Sequence, residues 1–180
     1  MSIELPGFAT PPVSKVTERD MLDALARRYT ERSQGTNDRW VRAEHVRNGT
    51  GFHGYDEASG RCTAALRTAD FIAIETWESK GHQIHGCEVK ISRSDWLHEL
   101  ADPSKAEAFK KYTHRWWLVV PDASIVRSGE LPKGWGLLQF RGKHLYPVKR
   151  APVLDPLPMP MPLWISLARS SSKTAWKVTS

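Results

Sequence analysis

Glu88 and Lys90 stand two residues apart in IHGCEVKIS (84–92), an apolar run of the kind that forms a buried strand, where a carboxylate and an ammonium are costly. A third charge, Asp70, is set among Phe71, Ile72, Ala73 and Ile74 in TADFIAIETW (68–77). Two carboxylates held about 4 Å apart repel by roughly 4 kcal/mol at an effective dielectric near 20, and a divalent cation reverses that sign. Hard oxygen donors suit Mg²⁺ or Mn²⁺, which keep several waters and accept phosphate oxygens in their remaining positions. With an ammonium added, this is the set that metal-assisted phosphodiester hydrolysis needs. Burial lowers a lysine pKa and neighbouring carboxylates raise it, so Lys90 is expected as a protonated ammonium that orients water or steadies charge on the phosphorus centre. The plainer alternative is a solvent-facing Glu/Lys pair on a strand, which contributes about 0.2–1 kcal/mol.

These residues need strands to hold them. Alternation along 84–92 puts Gly86, Glu88 and Lys90 on one face and Cys87, Val89 and Ile91 on the other. The second face is then the apolar one, and the charged pair faces a cleft or solvent. The turn ESKGHQ joins this strand to 68–77 as a hairpin. Upstream, RWVRAEHVR (39–47) reads as a strand leading into the Gly-rich NGTGFHG, and a helix is expected from about Thr17 to Arg32, with Thr17 as N-cap and Glu18 and Asp20 in its first turn.

Downstream the period changes. Ser92 or Ser94 caps a helix with Trp96, Leu97 and Leu100 on one face, and Asp102-Pro103 opens another with Ala106, Phe109 and Tyr112 inward. RWWLVVP (115–121) reads as a buried strand, and GWGLLQF and HLYPV form a hairpin around Arg141-Gly142-Lys143. Helix, three strands, helix and strand predict an α/β fold with a mixed sheet flanked by helices. Residues 1–14 read as an extended lead-in to a single domain over 1–150. Prolines at 152, 156, 158, 160 and 162 make 151–180 a proline-rich tail that wraps the domain or stands free of it.

At 180 residues one domain is expected, and eight Trp promise ample aromatic burial. A net charge of +6 favours a polyanionic partner. No signal peptide or membrane-spanning run is legible, and Cys62 and Cys87 imply no disulfide framework, so a cytoplasmic chain with reduced thiols is expected. His82, His85 and Cys87 have a spacing that tempts a zinc reading, but alternation puts Cys87 on the face opposite Glu88 and no second cysteine lies near in sequence. Trp96, Trp116 and Trp117 suit core packing better than base stacking.

An acid in ADFIAI, then GCEVKIS on the next strand and a helix after it, resembles the PD-(D/E)XK nuclease superfamily. More narrowly, EVKISRSDW, DPSKAEAFKKYTHRWWLVVP and ELPKGWGLL in that order are similar to the MmcB-like DNA repair proteins and their phage and actinobacterial relatives, over residues 38–140. The resemblance implies a restriction-endonuclease-like αβββαβ core and Mg²⁺- or Mn²⁺-dependent cleavage of DNA in repair, recombination or phage DNA metabolism. It makes Asp70 and Glu88 metal ligands, with the Val89 carbonyl as a third, and Lys90 the catalytic cation. Ala69 stands where the superfamily has a proline, a departure that removes no ligand. Glu44 is the candidate for a completing acid, with Glu18 and Glu31 as rivals. Ser92, Arg93 and Ser94, at a strand-to-helix junction, and Lys105 on the following helix are candidate DNA contacts, the first three being equally suited to helix capping. Arg141 and Lys143, with Lys149 and Arg150, would form a DNA-facing patch or an ordinary solvated basic face. Many superfamily members are homodimers, so that assembly is admitted, though no seam is legible. The alternative activity is a DNA-binding module of the same fold without turnover; a further one is an interaction protein whose proline-rich tail docks a partner.

Overall fold

The computed structural model describes residues 15–33, 37–49, 55–56, 61–62 and 66–178. The lead-in expected over 1–14, and the Gly-rich loop beyond Gly49, lie outside the described residues. Helix α1 (Glu18–Arg28) starts as its sequence dictates: the Thr17 hydroxyl accepts from the Asp20 N–H at 3.2 Å while the Asp20 carboxylate accepts from the Thr17 N–H at 2.9 Å. It ends short of Arg32 because Tyr29 turns into the core and the Thr30 hydroxyl donates back to the Ala26 carbonyl at 2.6 Å.

Six strands form one mixed sheet. In chain order they are β1 (Trp40–Arg47), β2 (Thr68–Glu75), β3 (Ile84–Val89), β4 (Arg115–Val120), β5 (Trp135–Arg141) and β6 (His144–Lys149), arranged β6-β5-β4-β3-β2-β1. β1, β2 and β3 run as an antiparallel meander. Helices α2 (Arg93–Ala101) and α3 (Ser104–Lys110) then carry the chain over to β4, parallel to β3. β5 is parallel to β4, and β6 returns as the expected hairpin, turning at Gly142, whose φ of +63° is open to glycine.

Consecutive tryptophans on β4 explain two glycines. Trp116 lies beside Gly86 of β3 and Trp117 beside Gly136 of β5 in the parallel registers. Each indole lies over the bare backbone of its neighbour: a Cβ on Gly136 would come 2.5 Å from Trp117, and one on Gly86 would collide with Trp116. Both indoles and Trp96 are core residues, as their positions predict.

The expected single apolar face of β3 gives way to two. On one side Met21, Leu22, Leu25 and Tyr29 of α1 pack on Phe71, Cys87, Val89, Trp117 and Val119. On the other, Trp96 of α2, Phe109 of α3 and two leucines from the last helix pack on Ile72, Trp116, Leu118 and Val120. Helices cover both faces, as a sheet with parallel strands requires, so Glu88 lies under packed structure with only 8 % of its surface exposed. Leu97, expected inward, is 47 % exposed, because Trp96 and Glu99 take the buried face of α2.

The greatest departure is at the end of the chain. The proline-rich stretch 151–160 is irregular and fastened to the domain, with Leu154 N–H on the His114 carbonyl, Leu157 N–H on the Lys111 carbonyl and Arg115 on the Ala151 carbonyl. Met161 then opens α4 (Met161–Val178), with Pro162 tolerated in its first turn. Leu163 and Leu167 enter the second core, each contributing about 1.5–3 kcal/mol of burial, so of the two expectations for this segment the described residues show the one that wraps the domain, closed by a helix that the prolines did not announce. α4 lies along β1, the outermost strand, where Thr174 Oγ1 accepts from the Glu44 N–H at 3.0 Å.

Candidate active site

β2 and β3 pair with Phe71 opposite Cys87, and the ladder stops one step before Asp70 and Glu88. At that end of the sheet the Val89 N–H donates to Asp70 Oδ2 at 2.7 Å, so a carboxylate takes over where the strand pairing ends. Lys90, just past β3, bridges Glu88 Oε1 at 2.5 Å and Glu99 Oε2 of α2 at 3.1 Å. Asp70, Glu88 and Lys90, expected together, therefore come from adjacent strands to one place.

A cleft of about 400 Å³ opens here, lined by Glu18, Asp70, Val89, Lys90, Asp95, His98, Glu99 and Lys105 among others. It lies beyond the carboxyl end of β3, where α/β sheets commonly hold ligands. Glu88 sits behind its wall, with its carboxylate turned to Lys90. The ligand atoms that cluster around Asp70 are those of Glu18 and His45, all within 4.8 Å of one another. Of the acids considered to complete the site, Glu18 is the one that reaches it.

His45 gets there through its backbone. It has φ of +51° inside β1, which breaks the alternation of that strand. Ala43 and Val46 consequently share one core, while Glu44 is turned to α1. The partner strand matches it: Ala69 and Ile72 lie in that same core, and His45 and Asp70 fall between the Glu44–Phe71 and Val46–Ala69 pairs of the register. No sequence signal marks His45, and only its inward position beside Trp96 marks Glu99.

The electrostatics are lopsided. Burial, then the Asp70 charge, push the Glu88 carboxyl well above the ordinary carboxylate range against the pull of Lys90. Burial likewise raises Asp70, offset in part by the Val89 hydrogen bond. At Lys90 burial pulls downward, but Glu88 and Glu99 outweigh it, so the ammonium holds its proton above the usual lysine range. One ammonium thus faces three acids, and Glu99 Oε1 is buried without a hydrogen-bond partner. Among the described residues, the side-chain atoms close enough together to share a cation are those of Glu18, His45 and Asp70, two oxygens and a nitrogen more congenial to Mn²⁺ than to Mg²⁺, while Glu88, turned to Lys90, is not one of them.

Several expected contacts go elsewhere. Glu44 is buried and gripped by Arg19 of α1 through two bonds of 2.8 and 2.7 Å, and Glu31 pairs with Arg39 at 2.6 Å. Arg93 is drawn away from the cleft by Glu130 and the Ile125 carbonyl, because a bidentate carboxylate outcompetes solvent at that helix start. Ser92 is the N-cap of α2, its hydroxyl accepting from the Asp95 N–H at 3.2 Å, and Ser94 Oγ lies 2.9 Å from it. Lys105 does line the cleft. Arg141 and Lys143 lie at the far end of α1, where Arg27 donates to the Lys143 carbonyl, about 14 Å along the helix from Glu18. His82 bonds the Glu75 carbonyl, His85 bonds the Tyr29 hydroxyl, and Cys87 is buried in the core with its thiol pushed up by burial.

Among the described residues no helix is long and apolar enough to cross a membrane. No family model matches the chain, and no curated protein matches it. A solved structure does: a protein of unknown function from Silicibacter pomeroyi, 19 % identical, with a TM-score of 0.54 over 88 % of this chain and 86 % of that one. That likeness is one of fold, and the chain is an α/β protein with a six-stranded mixed sheet and helices on both faces.

Proposed function

We propose that this chain is a metal-dependent deoxyribonuclease with a restriction-endonuclease-like core, of the PD-(D/E)XK type and akin to the MmcB-like DNA repair proteins. The order α1-β1-β2-β3-α2-α3-β4, with β4 parallel to β3, is the order such a core requires. The observation that carries the reading is the meeting of Asp70, Glu88 and Lys90 at one end of two adjacent strands, with more buried acid than one ammonium neutralises. Asp70 and Glu18, with His45 beside them, would hold Mg²⁺ or Mn²⁺, and Glu88 would join them by turning from Lys90; the ion when bound supplies Lewis acidity toward a phosphate oxygen and lowers the pKa of water.

The chain's own residues supply the rest. The Val89 N–H fixes the Asp70 carboxylate, and Glu99 steadies Lys90 from the α2 side. Lys90, held protonated, is placed to stabilise negative charge developing on a phosphate at the cleft. Lys105 faces the same opening and would offset the charge of an incoming strand. The test is a cleavage panel of linear, nicked, single-stranded and branched DNA, with RNA as control, in Mg²⁺ or Mn²⁺. Glu88→Ala or Lys90→Ala should reduce product at least 100-fold while the fold persists by circular dichroism. Undiminished cleavage by both variants sinks the mechanism; DNA binding with no metal-dependent product from the parent chain would leave a binding module without turnover.

A further inference from the structure

A second concavity, of about 440 Å³, runs between α4 and β1 and is lined by Arg47, Ser166, Arg169, Ser170, Lys173 and Thr174 among others. On α4 these residues recur at the three- and four-residue spacing of one helix face, so the segment between 166 and 174 presents its hydroxyls inward and its cations at the rim. Among the described residues, Arg47, Arg169 and Lys173 enter none of the ion pairs. The one acid on the wall among the described residues, Glu44, is held in two bonds of 2.8 and 2.7 Å by Arg19, which it shares with Asp23. The groove therefore carries, among the described residues, three cations against one acid, beside the side-chain hydroxyls of Thr68, Ser166 and Ser170, that of Thr174 being engaged with the Glu44 N–H and the Ser170 carbonyl. That chemistry matches a chain of phosphodiesters: separated cations for the phosphates and hydroxyl donors for the bridging and sugar oxygens.

Continuity says which anion. His45 lines this groove, and its ring nitrogen is within 4.8 Å of the ligand atoms of Asp70 and Glu18, which line the acid cleft, so the two concavities adjoin at His45. A single anion would occupy one part of it, whereas a strand laid along α4 leads to the cleft one phosphate after another. We infer that the α4–β1 groove is the track of the DNA backbone, gripping the strand through Arg47, Arg169 and Lys173 as it enters the site. The inference rests on the nuclease reading for what happens at the cleft, but the grip itself is independent of cleavage.

Binding is accordingly measured without metal. Fluorescein-labelled DNA, single-stranded and duplex, and an RNA of the same sequence are titrated with the full chain by fluorescence anisotropy across a salt series. Arg169→Glu with Lys173→Glu should weaken DNA binding at least tenfold, and Arg169→Gln with Lys173→Gln should lower the salt slope by about 1.8 for duplex or about 1.4 for single strands. The Gln pair also answers if the charge reversal perturbs folding, which melting curves report. Lys80→Glu, in the turn at the opposite end of β2, should leave affinity within twofold. Unchanged affinity and slope in the folded Gln pair overturn the inference, as does a parent chain that binds neither form of DNA. Loss of binding in the variants with no cleavage by the parent chain upholds the groove and sinks the nuclease; cleavage with unaltered binding does the reverse.

Discussion

Asp70 Oδ2 accepts the Val89 N–H at 2.7 Å, so one carboxylate both terminates the β2–β3 ladder and sits among the candidate metal ligands. The two duties separate by substitution. Asp70→Asn keeps an oxygen for the Val89 N–H and should cost little stability while removing metal-dependent cleavage. Asp70→Ala leaves that N–H without a partner and should cost a further ~1–3 kcal/mol in urea unfolding. Equal stability of the two variants would show that the bond contributes nothing to the fold.

His45 holds a left-handed backbone inside a strand. Such a conformation costs a side-chain-bearing residue on the order of 1 kcal/mol, which glycine does not incur. His45→Gly is expected to raise stability by up to about 1 kcal/mol. If the imidazole is a ligand, the same change weakens Mn²⁺ binding more than Mg²⁺ binding, which calorimetric titration of both ions reads directly.

His85 makes the fold sensitive to acid. Burial, then the charges of Arg115 and Arg28, lower its pKa to about 4, and its Nδ1 lies 3.0 Å from the Tyr29 hydroxyl. Below pH ~6.5 an unfolded chain takes up a proton there that the native chain refuses until about pH 4. Stability therefore falls as pH drops from about 6.5 to 4, by about 3 kcal/mol from this residue. His85→Gln should flatten that limb of a pH series of melting curves; an unaltered slope would put the sensitivity elsewhere.

Gly86 and Gly136 flank Trp116 and Trp117 on opposite sheet faces. At Gly136 the added Cβ would also meet the Ala151 backbone nitrogen at 2.6 Å, leaving the indole little room to yield. Gly86→Ala and Gly136→Ala should each destabilise by about 1–3 kcal/mol in denaturant titration. Full stability in both would mean that the tryptophans shift freely.

Much of this architecture is written locally. Thr17 and Asp20 announce α1, Ser92 announces α2, and the β-branched and aromatic content of 68–77, with the turn ESKGHQ and the apolar run 84–92 after it, announces the central hairpin. What stayed hidden depends on distant partners. Glu44 looks available until Arg19, 25 residues earlier, is folded over it, and Arg93 looks ready for phosphate until Glu130 is brought beside it. Alternation assigned Glu88 to an open face because nothing in 84–92 says that helices cover both sides. The last helix was masked by five prolines, whose extended signal stops at Pro162, just where Leu163 and Leu167 begin a helical stripe. Glu18 was legible as a rival acid; His45 was not, since a left-handed residue within a strand leaves no mark on composition.

The bond from the Glu44 N–H to Thr174 has a consequence for the solitary molecule. β1 ends the sheet, and a terminal strand with outward amides is a template for pairing with a neighbouring chain. By lying along that margin α4 acts as a guard rail, and its detachment would expose an adhesive border that invites self-association before any loss of the sheet itself.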